Sequence, residues 1–503
     1  MFKRWGFDYH EKKFMLTIPK LSSSDGQSQQ KIRQSILVQM PNDYYYLCLF
    51  FVATKSFRDN KNDLTGLWPQ NVMSAPRGES LQKIRRTIRQ IFNILDKNKW
   101  QKLYGSIGVT NFFNLEVSFW QAFKNNRQAK LISYAIRSKR DVLALKLNDI
   151  YCGDLIYDTY LRFRVQPTVD ITDPYLVSII TQCLNAQAAF RKQLNKNKYD
   201  VFLSSYSSYI QHGIPVREAI RADISVFTSG NLSQYFKKLS SDDYLHAASH
   251  WNYKNQFNTL TNHEAKREAA KLQLEGRFNG QVDSATQYMK SSAYASTNYE
   301  MPINIDAVVF LHDFFDSPHC YRDMLFEDFW EWANFTLNII DLMQLNIAVK
   351  PHPNQLPESI EVVNKLKNMY PNIVWLDPKI SNMTIFKSGI KCGISVYGTI
   401  LHELAYNGIP ALAAGDHPHI SFNIATTPLN IEDYRNCLIN FKSLKTSENI
   451  KNEVLDFYYM HNLYEKEDLQ IDFKNMNLRT LEQNNSIALT KFIEIYKQEE
   501  SKI

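Results

Sequence analysis

The sequence VKPHPN, residues 349–354, follows an apolar run and encloses a histidine between two prolines. Further along the chain, GISVYGT (393–399) is a second predicted turn, which contains glycine and runs into HELA (402–405). A strand that ends in an imidazole, followed by a glycine- and hydroxyl-containing turn that opens a helix, is typical of an α/β domain that holds a phosphate. The two stretches therefore predict a parallel α/β domain with a phosphate-bearing ligand.

Six residues of these stretches are the candidate nucleotide-binding residues: His352, Pro353, Ser395, Gly398, Thr399 and Glu403. The prolines fix the backbone on both sides of the histidine, and the glycine permits close approach of a ligand. The hydroxyls and the amides of the helix start can donate to a phosphate, and the glutamate can accept from a ribose. Two simpler interpretations stay open, in which His352 caps the next helix and Thr399 is only an N-cap.

Alternating strand and helix patterns predict two Rossmann-like domains. A long helix at 174–194 is followed by strands at 199–203 and 224–227, and a second series begins with the apolar strand 305–311. The predicted boundaries are a partly helical N-terminal extension (1–98), an acceptor domain (99–298), a donor domain (299–440) and a helical tail that packs back on the domains (441–503).

Three further segments carry local predictions. Residues 44–54 fit either a buried strand or a helix segment, and 141–147 read as a strand. Residues 79–97 have helical apolar spacing, and their basic face is either solvated or in contact with a membrane.

Ligands of parallel sheets lie at the C-terminal ends of the strands, which places further candidates. In the first domain, Asp154 and Asp158 follow a predicted strand and His212 follows a serine-rich turn, so these can supply a general base or a nucleophile. Arg217 can pair with a carboxylate of the donor or the acceptor.

The second domain adds candidates at the end of its first strand. His312 and Asp313 rank above Asp316 and His319, because they lie closest to the strand end. The predicted catalytic residues are thus Asp154, His212 and Asp313, and the other cleft residues are Lys350, His312, Asp158 and Arg217.

Charge and composition limit the function classes. A net charge of +7 on 503 residues fits an anionic substrate or a membrane surface and is too weak to indicate nucleic acid. Six scattered cysteines predict reduced thiols. His417 and His419 are the nearest approach to a metal pair, but loop histidines of this kind are more often polar loop residues, so no metal is expected. The start of the chain lacks a signal-peptide pattern, so a cytoplasmic protein is expected, with peripheral membrane contact left open.

The strand ending in His-Pro, the glycine, serine and threonine turn, and the following GIPAL (408–412) resemble the C-terminal domain of GT-B glycosyltransferases. More narrowly, they resemble bacterial sialyltransferases and the Kdo transferases of capsule and lipopolysaccharide synthesis. The matching residues are His352, Pro353, Ser395 and Thr399, and the resemblance covers the chain from about residue 300 to 430. Two other segments, GDLIYDTYLR (153–162) and HDFFDSPH (312–319), resemble proteins of capsule and O-antigen clusters.

This resemblance implies two Rossmann-like domains facing a cleft and the transfer of a sugar, most typically CMP-activated Kdo or another nonulosonic acid, to a growing bacterial surface polysaccharide. It implies no metal or cofactor, because a helix dipole, hydroxyls and a histidine stabilise the departing phosphate. The acceptor would be an oligosaccharide or a lipid-linked glycan at the inner face of the inner membrane. The alternatives are a UDP-sugar transferase, a CDP-polyol phosphotransferase and a non-catalytic glycan-assembly protein.

Overall fold

The computed structural model describes residues 7–22, 34–57, 63–72, 96–229, 236–281, 293–294 and 300–464. Most of the predicted helix at 79–97, and the tail beyond residue 464, lie outside these residues. Within them the strands are β1 (Ser35–Gln39), β2 (Asp63–Trp68), β3 (Val109–Asn114), β4 (Lys146–Leu147), β5 (Ile150–Tyr151), β6 (Val201–Ser204), β7 (Ser225–Ser229), β8 (Phe236–Leu239), β9 (Ala307–Phe310), β10 (Ile347–Lys350), β11 (Cys392–Ser395) and β12 (Ala411–Ala413).

The helices of the same residues are α1 (Tyr9–Ser22), α2 (Tyr44–Phe57), α3 (described over 96–106), α4 (Phe119–Ala135), α5 (Lys139–Leu143), α6 (Gly153–Tyr160), α7 (Pro174–Leu194), α8 (Tyr209–Arg221), α9 (Tyr253–Thr259), α10 (His263–Phe278), α11 (Phe329–Leu342), α12 (Pro357–Met369), α13 (Asn382–Lys387), α14 (Ile400–Tyr406), α15 (Ile431–Ile439) and α16 (Ile450–Asn462). A π-helical turn, Leu161–Val165, extends α6. Short 3₁₀ turns occupy His250–Asn252 and Phe441–Ser443.

The first sheet has the order β3-β2-β1-β6-β7-β8, and all its neighbours are parallel except β7 and β8. Counted along the chain this is the 3-2-1-4-5-6 order of a Rossmann domain, which reverses direction between β1 and β6. The prediction that residues 1–98 form an extension is therefore wrong, because β1 and β2 are inner strands of this sheet. The sequence did not indicate β2 (DLTGLW) as a strand, because polar and glycine residues interrupt its apolar pattern.

The second sheet is parallel throughout, in the order β10-β9-β11-β12. Its order reverses between β9 and β11. Residues 373–376 contribute only an isolated bridge from Trp375 to Val349. The strand predicted at 141–147 is also corrected, because Ser138 and Asp141 form a capping box that starts α5 there.

Both sheets are covered on two faces, as buried parallel strands require. In β1, Ile36 and Val38 pack into one core layer while Leu37 packs into the opposite layer. In β9, Val309 and Val308 divide in the same way between the two layers of the second domain. This period of two fixes which side chains reach the layers and leaves the strand ends free to carry polar groups.

Helix α16 lies in the predicted tail and joins a smaller core built with α9 and α10. Arg267 of α10 binds Asp456 of α16, with 2.7 Å between Nε and Oδ1. Lys254 of α9 binds Glu453 at 2.9 Å. The described part of the tail is thus tied to the connecting helices that precede the second domain.

His417 and His419 belong to this region as buried residues, which corrects their interpretation as polar loop residues. Their ring centroids lie 3.7 Å apart, and His402 lies 5.9 Å from His419. Among the described residues, no group of three or more histidine, cysteine, aspartate or glutamate side chains has the geometry to hold a metal ion.

Acid should destabilise the protein through these buried histidines. Burial lowers the pKa of His250 and His417 to about 3 and that of His419 well below its usual value. In the unfolded chain all three titrate near a pKa of about 6.5 and bind protons first, so each costs about 1.4 kcal/mol of stability per pH unit below that value. We expect the free energy of unfolding, measured by urea titration, to fall steeply as pH drops below about 6.5. The variant His419→Leu should show a shallower slope, and equal slopes would contradict the assignment.

Candidate functional site

A cavity of about 700 Å³ lies between the two domains and is lined by both. It opens where β6 of the first sheet and β9, β10 and β11 of the second sheet end, beside the point in each sheet where the strand order reverses. Ligands of parallel α/β sheets bind at such points. The predicted fold class, two Rossmann-like domains facing a cleft, is confirmed.

His352 follows β10 and lines the cavity together with Pro353. Its Nδ1 accepts a hydrogen bond from the backbone N–H of Asn354 at 3.2 Å. Burial lowers the pKa of His352, and Asp313 opposes this effect. The ring is therefore neutral near pH 7 with its proton on Nε2, which makes it a hydrogen-bond donor to a ligand. His352 thus stabilises its own turn and also lines the cavity.

Ser395 lines the cavity at the end of β11, but its hydroxyl is already engaged. Its Oγ donates to the carbonyl oxygen of Phe310 at 3.0 Å. The neighbouring Nε2 of His312 accepts from the backbone N–H of Tyr397 at 3.1 Å, and burial lowers the pKa of His312 to about 3. These bonds fix the turn after β11. The ring of His312 stacks on that of Phe329, with 4.6 Å between the ring centroids. Ser395 and His312 thus shape the cavity wall.

Glu403 and Thr399 meet an arginine that the sequence did not suggest. Arg277, in α10, places Nη2 2.6 Å from Oε1 of Glu403 and donates to Oγ1 of Thr399 at 3.1 Å. Tyr294 also donates to the Glu403 carboxylate. The Thr399 side chain does not cap α14, so the N-cap alternative fails for its hydroxyl. With Gly398, these side chains form one polar corner of the cavity.

Lys350 brings a second cation to the same wall. It is buried at the end of β10, and Nζ donates to Oδ1 of Asn382. Burial lowers its pKa to about 8, and Glu403 opposes this shift. Lys350 therefore remains mainly charged at pH 7 and can stabilise an anion beside Arg277.

On the opposite wall, His212 lies in the cavity at the start of α8. Its Nδ1 lies 3.1 Å from Oε1 of Gln39, and its Nε2 lies 2.9 Å from Nε2 of Gln211. Burial lowers the pKa of His212 to about 3, with a further contribution from His246. An imidazole with this pKa is a weak base, so His212 is poorly suited to act as the general base, and its two contacts hold the ring in place. Gln39 was missed because β1 was assigned to an extension.

Asp154 and Arg217 do not line the cavity and instead bind each other inside the first domain. Both side chains are buried, and two contacts of 2.7 and 2.5 Å join the guanidinium to the carboxylate. The predictions that Asp154 is a cleft base and that Arg217 meets a ligand carboxylate are therefore corrected. In this paired geometry each charge is neutralised by its partner inside the domain, so neither group is available to a ligand.

Asp158 and Asp313 are also outside the cavity lining. Asp158 binds Nδ1 of His319 at 2.6 Å, which joins the first domain to the loop after β9. Asp313 accepts from the backbone N–H groups of Leu356 at 2.8 Å and Phe315 at 3.0 Å. Its predicted catalytic position is wrong, because the carboxylate turns away to hold two loops together.

Asp316 is the carboxylate that the loop presents to the cavity, together with Arg162 from the π-helical turn. Although its side chain is accessible to solvent within the cavity, the surrounding protein raises the pKa of Asp316 to about 6. Asp313 adds to this effect and Arg162 opposes it. Sequence reasoning ranked Asp316 below Asp313, since distance from the strand end does not report how the turn directs each side chain.

Comparisons with known proteins give low similarity. The chain matches no protein-family model and no curated protein. It is similar to Anabaena HepE in complex with UDP and glucose, with 10% identity over 93% of this chain and 100% of that chain and a TM-score of 0.25. It is also similar to the Thermosulfurimonas dismutans KpsC β-Kdo 2,7 transferase, with 11% identity over 61% and 90% of the two chains and a TM-score of 0.30. At these values the similarity carries no argument about function.

Removing one member of the buried Asp154–Arg217 pair should affect stability first. Asp154→Asn leaves a buried guanidinium without its countercharge, so the free energy of unfolding should fall by about 3 kcal/mol or more. Urea unfolding checks this, and the double variant Asp154→Leu/Arg217→Met should recover much of the loss. Unchanged stability together with lost activity would instead return Asp154 to the catalytic machinery.

Proposed function

We propose that the protein is a glycosyltransferase that moves a sugar from a nucleotide donor to a glycan acceptor. The observation that carries the proposal is the meeting, in one interdomain cavity, of a cationic wall and a carboxylate with a raised pKa. The cationic wall consists of Lys350 and the donor nitrogen of His352, while the charge of Arg277 is paired with Glu403. The carboxylate is that of Asp316.

The wall formed by the second domain and Arg277 is the proposed donor site. Lys350 attracts the phosphate, and Nε2 of His352 donates a hydrogen bond to it. As the bond between the anomeric carbon and the phosphate oxygen breaks, negative charge develops on that oxygen, and preorganised donors stabilise it. No metal ion is part of the proposed mechanism.

The proposed donor is CMP-activated Kdo or another nonulosonic acid. The resemblance of the sequence around His352 and Ser395 to CMP-sugar transferases supports this choice. A nonulosonic acid also carries its own carboxylate, and Arg162 supplies a cation in the cavity that can pair with it. Arg162 thereby replaces Arg217, whose charge is used by Asp154.

Asp316 is the proposed general base. With a pKa of about 6 the carboxylate is mostly ionised at pH 7. This pKa is also close enough to the working pH for the carboxylate to accept a proton efficiently. It takes the proton of the acceptor hydroxyl while that oxygen attacks the anomeric carbon. The proposed acceptor is an oligosaccharide or a lipid-linked glycan of a bacterial surface polysaccharide, reached at the cytoplasmic face of the inner membrane.

The direct test is release of nucleotide from a panel of CMP-, UDP- and GDP-sugars, preceded by thermal-shift screening of the free nucleotides. A nucleotide that binds only the folded protein raises its stability by RT ln(1 + [L]/Kd). CMP should give the largest shift. A response to UDP alone would favour a UDP-sugar transferase, one to CDP-polyols a phosphotransferase, and none at all a non-catalytic assembly protein.

Replacing the donor-site histidine should weaken nucleotide binding. His352→Ala removes a hydrogen bond to a charged phosphate, worth about 1.5–3 kcal/mol, so CMP affinity measured by calorimetry should fall about 10- to 100-fold. His10→Ala, in α1 and away from the cavity lining, is the control and should bind CMP as the original protein does. Unchanged affinity in the His352 variant would remove the donor-site assignment.

Replacing the proposed base should lower turnover without loss of the nucleotide. Asp316→Asn should reduce kcat by about 100-fold or more while CMP affinity remains. In the original protein, kcat should decrease as pH falls below about 6, because the carboxylate becomes protonated. The Asn variant should lack that acid limb, and the exposed Asp323→Asn in the same loop should keep it. An unaltered pH profile in the Asp316 variant would exclude the role.

A further inference from the structure

Helix α4 presents its largest apolar side chains to solvent. Phe119, Trp120, Phe123, Leu131 and Tyr134 are between 55% and 78% exposed. Apart from the first, they lie on one side of the helix in two pairs, Trp120 with Phe123 and Leu131 with Tyr134, and form an apolar stripe interrupted by Arg127, which we call the α4 face. Exposed apolar surfaces of this kind mark interaction sites.

The opposite side of α4, which packs on α7, is unusually polar. Asn125 Nδ2 donates to Oδ1 of Asn185 at 2.8 Å, and Asn126 Nδ2 donates to Oγ1 of Thr181 at 3.3 Å. Ala129, one turn further along α4, is the small buried residue on this side. A helix of a globular protein normally turns its apolar side inward. In α4 the polarity is reversed, since amides anchor it to the protein while aromatic rings point outward.

The charge of α4 has a single sign. Lys124, Arg127 and Lys130 are exposed, and the helix contains no aspartate or glutamate. Arg127 lies within the α4 face, between Phe123 and Leu131. Aromatic and leucine side chains interspersed with lysine and arginine are typical of helices that lie in the interface of an anionic membrane.

We propose that the α4 face docks the protein on an anionic lipid bilayer, with the helix parallel to the membrane plane. The aromatic rings enter the headgroup region, and the three cations bind lipid phosphates. Charge complementarity favours this partner, because the exposed cations within the apolar stripe have no acidic neighbours on the helix. Within the described residues no helix is long and apolar enough to cross a membrane, so the proposed contact is peripheral. The proposal does not depend on the enzymatic activity proposed above.

Vesicle flotation of the full chain tests the proposal. The protein should bind vesicles of equal parts phosphatidylcholine and phosphatidylglycerol, and should bind phosphatidylcholine vesicles weakly. The double variant Trp120→Ala/Phe123→Ala and the variant Arg127→Glu should each bind the anionic vesicles about tenfold or more weakly. Leu272→Ala, a similarly exposed leucine on α10, is the matched control and should bind normally.

Circular dichroism and the unfolding temperature should be unchanged in all variants. These measurements distinguish a folding defect from a binding defect. Should an α4 variant fail to fold, the salt dependence of the original protein decides, because anionic-lipid binding must weaken as ionic strength rises. Absence of vesicle binding, or equal binding by the α4 variants, would overturn the proposal. Self-association seen by sedimentation, abolished by the α4 variants in place of vesicle binding, would assign the surface to a second copy of the chain.

Discussion

The structure depends on the burial of α6 between the two domains. All eight of its residues are buried, and a side chain at Gly153 would lie 2.0 Å from the carbonyl oxygen of Leu143. Asp154 ties the helix to Arg217 within the first domain. Tyr157 donates to Oδ2 of Asp328 at 2.6 Å and Asp158 binds His319 at 2.6 Å, so both tie the helix to the second domain. Since the cavity lies between these domains, its shape follows from this helix.

This arrangement explains which acids are available for chemistry. Carboxylates that hold the fold have partners of opposite charge or backbone amides, as Asp154 and Asp313 do. Asp316 faces the cavity, where solvent reaches it and the surrounding protein raises its pKa. Perturbed carboxylates in a cleft are candidates for acid–base chemistry, whereas paired ones in a core stabilise the structure.

The sequence predicted the second domain well because its strands are short apolar runs that end in distinctive turns. His352, Gly398, Thr399 and Glu403 all line the cavity as their turns suggested. The first domain was harder, since β2 lacks an apolar pattern and β1 takes its place through pairing with β2 and with the distant β6. Arg277 was missed for a related reason: its contact with Glu403 joins residues far apart in the chain, and no local pattern carries such information.

The charges of the cavity have different origins, which separates binding from pH control. Burial keeps His212 and His312 neutral over the physiological range, so these rings contribute hydrogen bonds and shape. Positive charge comes from Lys350 and Arg162, since Arg277 is paired with Glu403, and Lys350 loses its charge only as pH rises toward about 8. Attraction of an anionic donor should therefore persist on acidification, while the proposed proton transfer through Asp316 should not. An acid limb in turnover without a matching loss of donor affinity is the behaviour that this division of roles requires.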